Sequence, residues 1–201
     1  MSVTPISQTF TVEASPTSST TGRFITSIDI YFGAKDDILP ITVELRNVMN
    51  GYPSNKVLAF GKVTKDTGDV NTSATAATAT TFTFPSPVYV DTETEYAMVL
   101  LSNSPEYSVW ISRMGDVDIG GTRTVSEQPH TGALFKAANT TAFVPSPMED
   151  LKFSVKCAEF DIEAAGLITL TNDDVPIATL ANSPIIMDET TTLKIKHNDH
   201  H

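Results

Sequence analysis

The sequence is short of several things at once, and each shortage closes a class of function. Cys157 is the only cysteine among 201 residues, so no disulfide can form within one chain and no paired-cysteine zinc site exists. Such usage suits a reducing compartment, or a particle assembled in one. Basic residues are scarce, 13 Lys+Arg against 24 Asp+Glu, for a net charge of −11. Binding nucleic acid requires clustered cations to neutralise phosphates, and an anionic membrane surface requires the same. Neither partner is expected. No apolar run approaches the roughly 18 residues that read as a membrane span. The opening stretch, residues 1–22, is polar and lacks the apolar core of a secretory signal. Two glycosylation sequons, at Asn71 and Asn139, carry no weight without secretion.

What is present is strand pattern. Phe24, Ile28, Ile30 and Phe32 are apolar while Ser27 and Asp29 fall between them, and Ile41, Val43 and Leu45 alternate with Thr42, Glu44 and Arg46. Leu151, Phe153, Val155 and Cys157 alternate with Lys152, Ser154 and Lys156. Successive strand side chains point to opposite faces, so each segment has one face for a core and one for water. Met98–Leu101 is apolar throughout, the pattern of a central strand covered on both sides. Further strands are expected over 8–12, 57–63, 80–84, 107–113 and 133–137, separated by turn formers such as Asn50-Gly51 and Gly120-Gly121. Thr and Ser make up about a quarter of the chain, and threonine favours strands. No window carries a helical stripe. About nine short strands at this spacing predict an all-β, two-sheet antiparallel sandwich, jelly-roll-like, over residues 1–160.

After Phe160 the texture changes. Residues 1–148 carry 9 basic and 14 acidic side chains, whereas residues 149–201 carry 4 and 10, so the last quarter supplies more than half of the net charge. Gly166–Leu170 and Leu193–Lys196 read as isolated strands with too few residues around them for an independent core. Residues 161–201 are expected to be a short β-rich extension, the start of a truncated second module. Leu167, Leu170, Leu193 and Ile195 would form its assembly segment, pairing with another chain or a further domain.

Chemistry is hard to find. His197, Asp199, His200 and His201 could ligate zinc or nickel, but a chain end does not fix ligand geometry, and the reading assigns no metal. Gly115-Asp-Val-Asp-Ile-Gly-Gly121 has the oxygen ligands of a calcium loop without the downstream glutamate, and Asp and Gly also make ordinary turns. No GxSxG elbow, nucleophile–base pair or glycine-rich phosphate loop occurs. Cys157, on the apolar side of its strand, reads as a small core residue. The expectation is a non-enzymatic chain with no cofactor. Trp110, the only tryptophan, is the most informative aromatic. Tyr107, Val109 and Ile111 share one face of its segment and Trp110 lies on the other, as a platform for a sugar or a partner, unless a loop covers the indole. Arg113 and Tyr52 are grouped with it as a possible binding surface.

Several segments together resemble a repeated module of large tail and baseplate structural proteins of contractile-tailed bacteriophages, especially those infecting cyanobacteria. They are Gln8–Val12, Phe24–Asp37, Arg46–Pro53, Thr80–Phe84, Glu95–Ser102, Val109–Gly115, Gly132–Phe135 and Glu149–Phe153. In order and spacing the resemblance covers roughly residues 5–160, and it continues weakly through Leu170–Pro176 and Leu193–His197. It implies a structural protein of a phage tail or baseplate, assembled in the host cytoplasm and resident in the virion. Its partners would be other phage structural subunits, copies of itself included. The resemblance supplies no catalytic residues. The rival expectation is a carbohydrate-binding module that recognises a host-surface glycan through Trp110.

Overall fold

The computed structural model describes residues 5–14, 21–128, 131–139, 142–160, 167–171, 179–180, 183–184 and 190–194. The chain divides into two compact units, Met1–Ala158 and Glu159–His201. Apart from one 3-10 turn at Thr67–Asp69, the regular structure among the described residues is all strand.

In the first unit the strands are β1 (Ile6–Thr11), β2 (Gly22–Ile30), β3 (Phe32–Ala34), β4 (Ile41–Met49), β5 (Tyr52–Lys65), β6 (Thr80–Asp91) and β7 (Glu95–Ser102). They continue with β8 (Ser108–Val109), β9 (Ile111–Arg113), β10 (Leu134–Asn139), β11 (Ala142–Ser146), β12 (Glu149–Leu151) and β13 (Phe153–Ala158). A six-stranded sheet runs β11-β10-β1-β7-β4-β5 and a three-stranded sheet runs β13-β2-β6, with the short pairs β3-β8 and β12-β9 beside them. Every strand pair is antiparallel. Consecutive strands β1 and β2 lie in different sheets; β1 pairs with β7 and β10, β2 with β6 and β13. The chain therefore passes between these two sheets five times, from β1 to β2, β2 to β4, β5 to β6, β6 to β7 and β11 to β13, a wrapping like that of a jelly roll. The fold is the expected two-sheet antiparallel sandwich.

The core lies between the sheets. Ile28, Ile30, Phe82 and Val90 from one sheet meet Val43, Leu45 and Met98 from the other, all with no measurable exposure. Phe10 and Phe153 pack ring to ring across the layers at 5.9 Å, and Phe32 packs on Phe82 at 6.2 Å. As Met98–Leu101 predicts, β7 is a central strand, and Met98 and Val99 are buried on opposite faces of it. The β4–β5 connection is the two-residue hairpin that Asn50-Gly51 predicts. Both residues have positive φ, 52° and 77°, and Met49 pairs with Tyr52, the geometry that matches strand twist.

The alternation over 24–32 fails at one end. The ladder of β2 with β6 and β13 shifts between Ile25 and Ser27, and a bulge of one residue exchanges the two faces. Ile25 is fully buried, while Phe24 is turned outward against Tyr89 at 5.3 Å. Phe24 is not a core residue, contrary to the pattern. The polar face is not simply wet either. Asp29 is buried, with Lys156 Nζ 2.7 Å from one carboxylate oxygen and Thr81 Oγ1 donating to the other at 2.5 Å. Burial raises its carboxyl pKa, but those two donors outweigh burial and hold it below the ordinary value.

The far face of the six-stranded sheet is closed as well. Ser7, Thr9, Ala97 and Phe135 are buried there, and Tyr52 and Phe143 set their rings against Phe135 at 5.7 and 6.4 Å. Glu44, on the same face, accepts from Arg46 Nε and Nη2 at 2.9 and 2.6 Å and from Lys62 at 3.0 Å. In the second unit, β14 (Leu167–Thr171) pairs antiparallel with β17 (Thr190–Lys194), and β15 (Thr179–Leu180) with β16 (Ser183–Pro184). Leu167, Leu170 and Leu193 thus lie on paired strands.

Candidate binding cleft

The segment expected as one strand over 107–113 is two, interrupted at Trp110. Tyr107 and Val109 pack on the core, and β8 pairs with β3. Trp110 then gives its backbone N–H to the Tyr31 carbonyl at 2.9 Å and accepts from Lys152 N–H at 2.9 Å. Beyond it, β9 pairs with β12. Two neighbours of different sheets claim consecutive residues, so the alternation cannot run through. Ile111 is accordingly 36% exposed, whereas Tyr107 and Val109 are partly buried against the core.

Trp110 is half-buried. Its indole N–H donates to the Ser73 carbonyl at 2.8 Å, tying down the loop between the 3-10 turn and β6. Ala76 from the same loop and the indole form one wall of a cleft of about 470 Å³. Its other walls come from Ile111 and Leu151 of the short pair and from a hairpin spanning 115–125. That hairpin is closed by Gly115 N–H to Val125 O at 2.9 Å and Asp118 N–H to Arg123 O at 2.8 Å. Gly115 and Gly120 turn it with φ of 88° and 76°, angles that L side chains rarely tolerate. Val117 and Ile119, 60% and 51% exposed, stand on it beside the cleft. The Asp-Val-Asp-Ile run is therefore a hairpin arm. Among the described residues no three His, Cys, Asp or Glu side chains are grouped to hold a metal.

The cations at the cleft are committed to the protein itself. Arg113 donates Nε to Glu149 Oε1 at 3.0 Å and pairs it through Nη2 as well, while Lys136 and Ser146 hold Oε2, the latter at 2.8 Å. Hydrogen bonds from Lys136 first, then Arg113 and Ser146, pull the Glu149 carboxyl down to about 2 despite its burial. Lys152 donates to the Ala76 carbonyl at 2.9 Å and sits 4.5 Å over the Tyr31 ring. Asp150 is buried and accepts from Gln8 Nε2 at 3.2 Å. Asp116 and Asp118 also line the cleft, and no donor reaches either carboxylate among the described residues.

The expected surface thus divides. Trp110 and Arg113 share the cleft, whereas Tyr52 does not line it and leans on Phe135. A second cavity of about 470 Å³, lined by Phe10, Val12, Arg23, Phe153, Val155 and Cys157, opens between the sheets at one edge. Burial raises the Cys157 thiol pKa, with Arg23 pulling weakly against it, so the thiolate needed of a nucleophile is disfavoured. Ile195, His130 and the histidine-rich end at 197–201 lie outside the described residues, as do the side chains of Leu167, Leu170 and Leu193. The sequence reading missed Val117 and Ile119 as cleft walls. Their alternation with Asp116 and Asp118 was the available sign, a period of two where a metal loop has none.

No protein-family model, no curated protein and no solved structure matches the chain.

Proposed function

We propose that the chain is a non-enzymatic structural module that works by protein–protein contact, and that its setting is a phage tail or baseplate. The setting rests on the resemblance of residues 5–160 to the tail module. The contact role rests chiefly on one observation: Ile111, Val117 and Ile119 are exposed together around one cleft. Aliphatic side chains gathered at a concave site gain most from another apolar surface. The charge pattern supports the same reading. Among the described residues, Asp29, Asp36, Glu44 and Glu149 have their carboxyl pKa values displaced downward, whereas a general acid near neutral pH needs an upward shift.

The rival is a glycan-binding module with Trp110 as its platform. Sugar stacking needs an open aromatic face, and here the indole is half-buried, with its N–H spent on Ser73. Two measurements separate the readings. Solution mass across a concentration series, together with incorporation into tail particles, tests protein contact, and removal of residues 161–201 tests the extension. A chain that stays monomeric and never enters particles defeats the structural reading. Saturable binding on a glycan array, lost in Trp110→Ala, establishes the rival.

A further inference from the structure

The register of the β9–β12 pair says which backbone groups it leaves over. Met114 N–H bonds Met148 O at 2.9 Å and Lys152 N–H bonds Trp110 O at 2.9 Å. Ser112, paired with Asp150, lies in phase with them, so the bonds between the strands run through 110, 112 and 114. The N–H and C=O groups of Ile111 and Arg113 must then point to the opposite edge, because alternate residues of a strand bond to alternate sides. Leu151 on β12 shows the same parity: its N–H turns away from β9 and is met by Gln8 Oε1 at 2.9 Å. On the outer edge of β12 the Leu151 N–H is thus met by a side chain.

The outer edge of β9 is not. Arg113 O accepts from Asp116 N–H at 3.1 Å, where the chain turns into the 115–125 hairpin. Among the described residues, Ile111 N–H, Ile111 O and Arg113 N–H have no partner. A short open edge, Ile111–Arg113, therefore stands where the aliphatic walls of Ile111, Val117 and Ile119 rise. The same cleft carries the Asp116 and Asp118 carboxylates, while Arg113 and Lys152 are already engaged.

From this conjunction we infer that the cleft takes an extended segment of a partner protein, added as a strand to the free edge of β9, with aliphatic side chains alternating with lysine or arginine. A residue opposite Ile111 exchanges two hydrogen bonds with it, and a further carbonyl accepts from Arg113 N–H. Main-chain bonds supply affinity in such additions and alternate side-chain pockets supply specificity. One set of side chains fills the space between Trp110, Val117 and Ile119. The other set meets Asp116 and Asp118, with charge opposite to theirs. This assignment rests on the protein-contact reading above and names the chemistry of the partner.

The probe is an end-blocked peptide, Val-Lys-Val-Lys-Val, titrated into the full chain. Trp110, the only tryptophan, lines the cleft and reports binding by its fluorescence. Saturable binding is expected, weakened roughly tenfold or more when the peptide lysines become glutamates or when the protein carries Asp116→Asn and Asp118→Asn together. A peptide N-methylated at its central valine, which leaves the protein untouched, should lose binding altogether. The inference is overturned if the unmodified peptide does not bind, or if the N-methylated and Glu-containing peptides bind as well as it does. Should the peptide fail while the chain still assembles, the cleft assignment falls and the protein-contact reading stands. A chain that neither assembles nor binds the peptide defeats both.

Discussion

The far face of the six-stranded sheet and the cleft beside Trp110 are made of similar materials, yet one is finished and the other is open. On the sheet face, Phe135 is covered by Tyr52 and Phe143, and both oxygens of Glu44 meet cations from Arg46 and Lys62. At the cleft, Val117 and Ile119 are more than half exposed, and Arg113 and Lys152 give their hydrogen bonds to Glu149 and Ala76, so that Asp116 feels the Arg113 charge without a hydrogen bond from it. Tyr52 and Phe143, from the edge strands β5 and β11 of that sheet, close the first surface, and among the described residues nothing comparable covers the second. Apolar area and charge left unsatisfied together are what a partner would complete.

The difference can be broken most severely by removing the body both surfaces share. Phe82→Ala should cost about 3–5 kcal/mol, as expected for a fully buried aromatic, and chemical denaturation would read it; a loss below about 1 kcal/mol would mean the sheets do not pack as described. On the closed face, Phe135→Ala should cost nearly as much, about 3 kcal/mol.

Next comes the ion cluster that borders the cleft. Glu149→Ala removes a buried anion but leaves Arg113 and Lys136 able to reach water, so about 1–3 kcal/mol is expected. The pH dependence has a definite sign. The folded carboxyl of Glu149, at about 2, lies below an unfolded value near 4.3. Its stabilisation is therefore complete above about pH 5 and fades as pH falls through 4 toward 2. Asp29 and Glu44, also shifted down, act in the same direction. Urea midpoints measured between pH 6 and pH 2.5 should fall, and less steeply in Glu149→Gln; equal slopes would remove Glu149 from the account.

Trp110→Phe keeps a ring but loses the bond to Ser73, for roughly 1 kcal/mol, visible as a lower thermal midpoint. The smallest effect belongs to the open surface. Asp116→Asn with Asp118→Asn should change stability by no more than about 0.5 kcal/mol. A large destabilisation there would show that these carboxylates serve the fold, and the contrast between the two surfaces would vanish.

Much of the sandwich was legible because strands announce themselves by a period of two. Ile41, Val43 and Leu45 lie inward as read, and Met98–Leu101 is the doubly covered strand that its composition predicts. The errors occurred where geometry breaks the period without changing composition. The bulge after Ile25 turned Phe24 outward, and the exchange of partners at Trp110 split one expected strand into two. Trp110 and Arg113, which line the same cleft, were singled out because a lone tryptophan among small polar neighbours is conspicuous. Val117, Ile119 and Asp116 were not, since each is ordinary until the hairpin at 115–125 brings them beside β9.

By itself the sequence determined the class of fold and the scale of the core. It also fixed the excess of acid over base, because alternation and composition are local properties of a chain. Only the tertiary structure decided which charges are spent and which remain, and which strand edge is capped and which is open. Those depend on residues far apart in sequence: Glu149 finds Arg113 and Lys136 across the fold, and Gln8 closes β12 from the other end of the chain. Among the described residues nothing meets Ile111 N–H, Ile111 O or Arg113 N–H on β9, and that is a fact of register, which no local pattern contains.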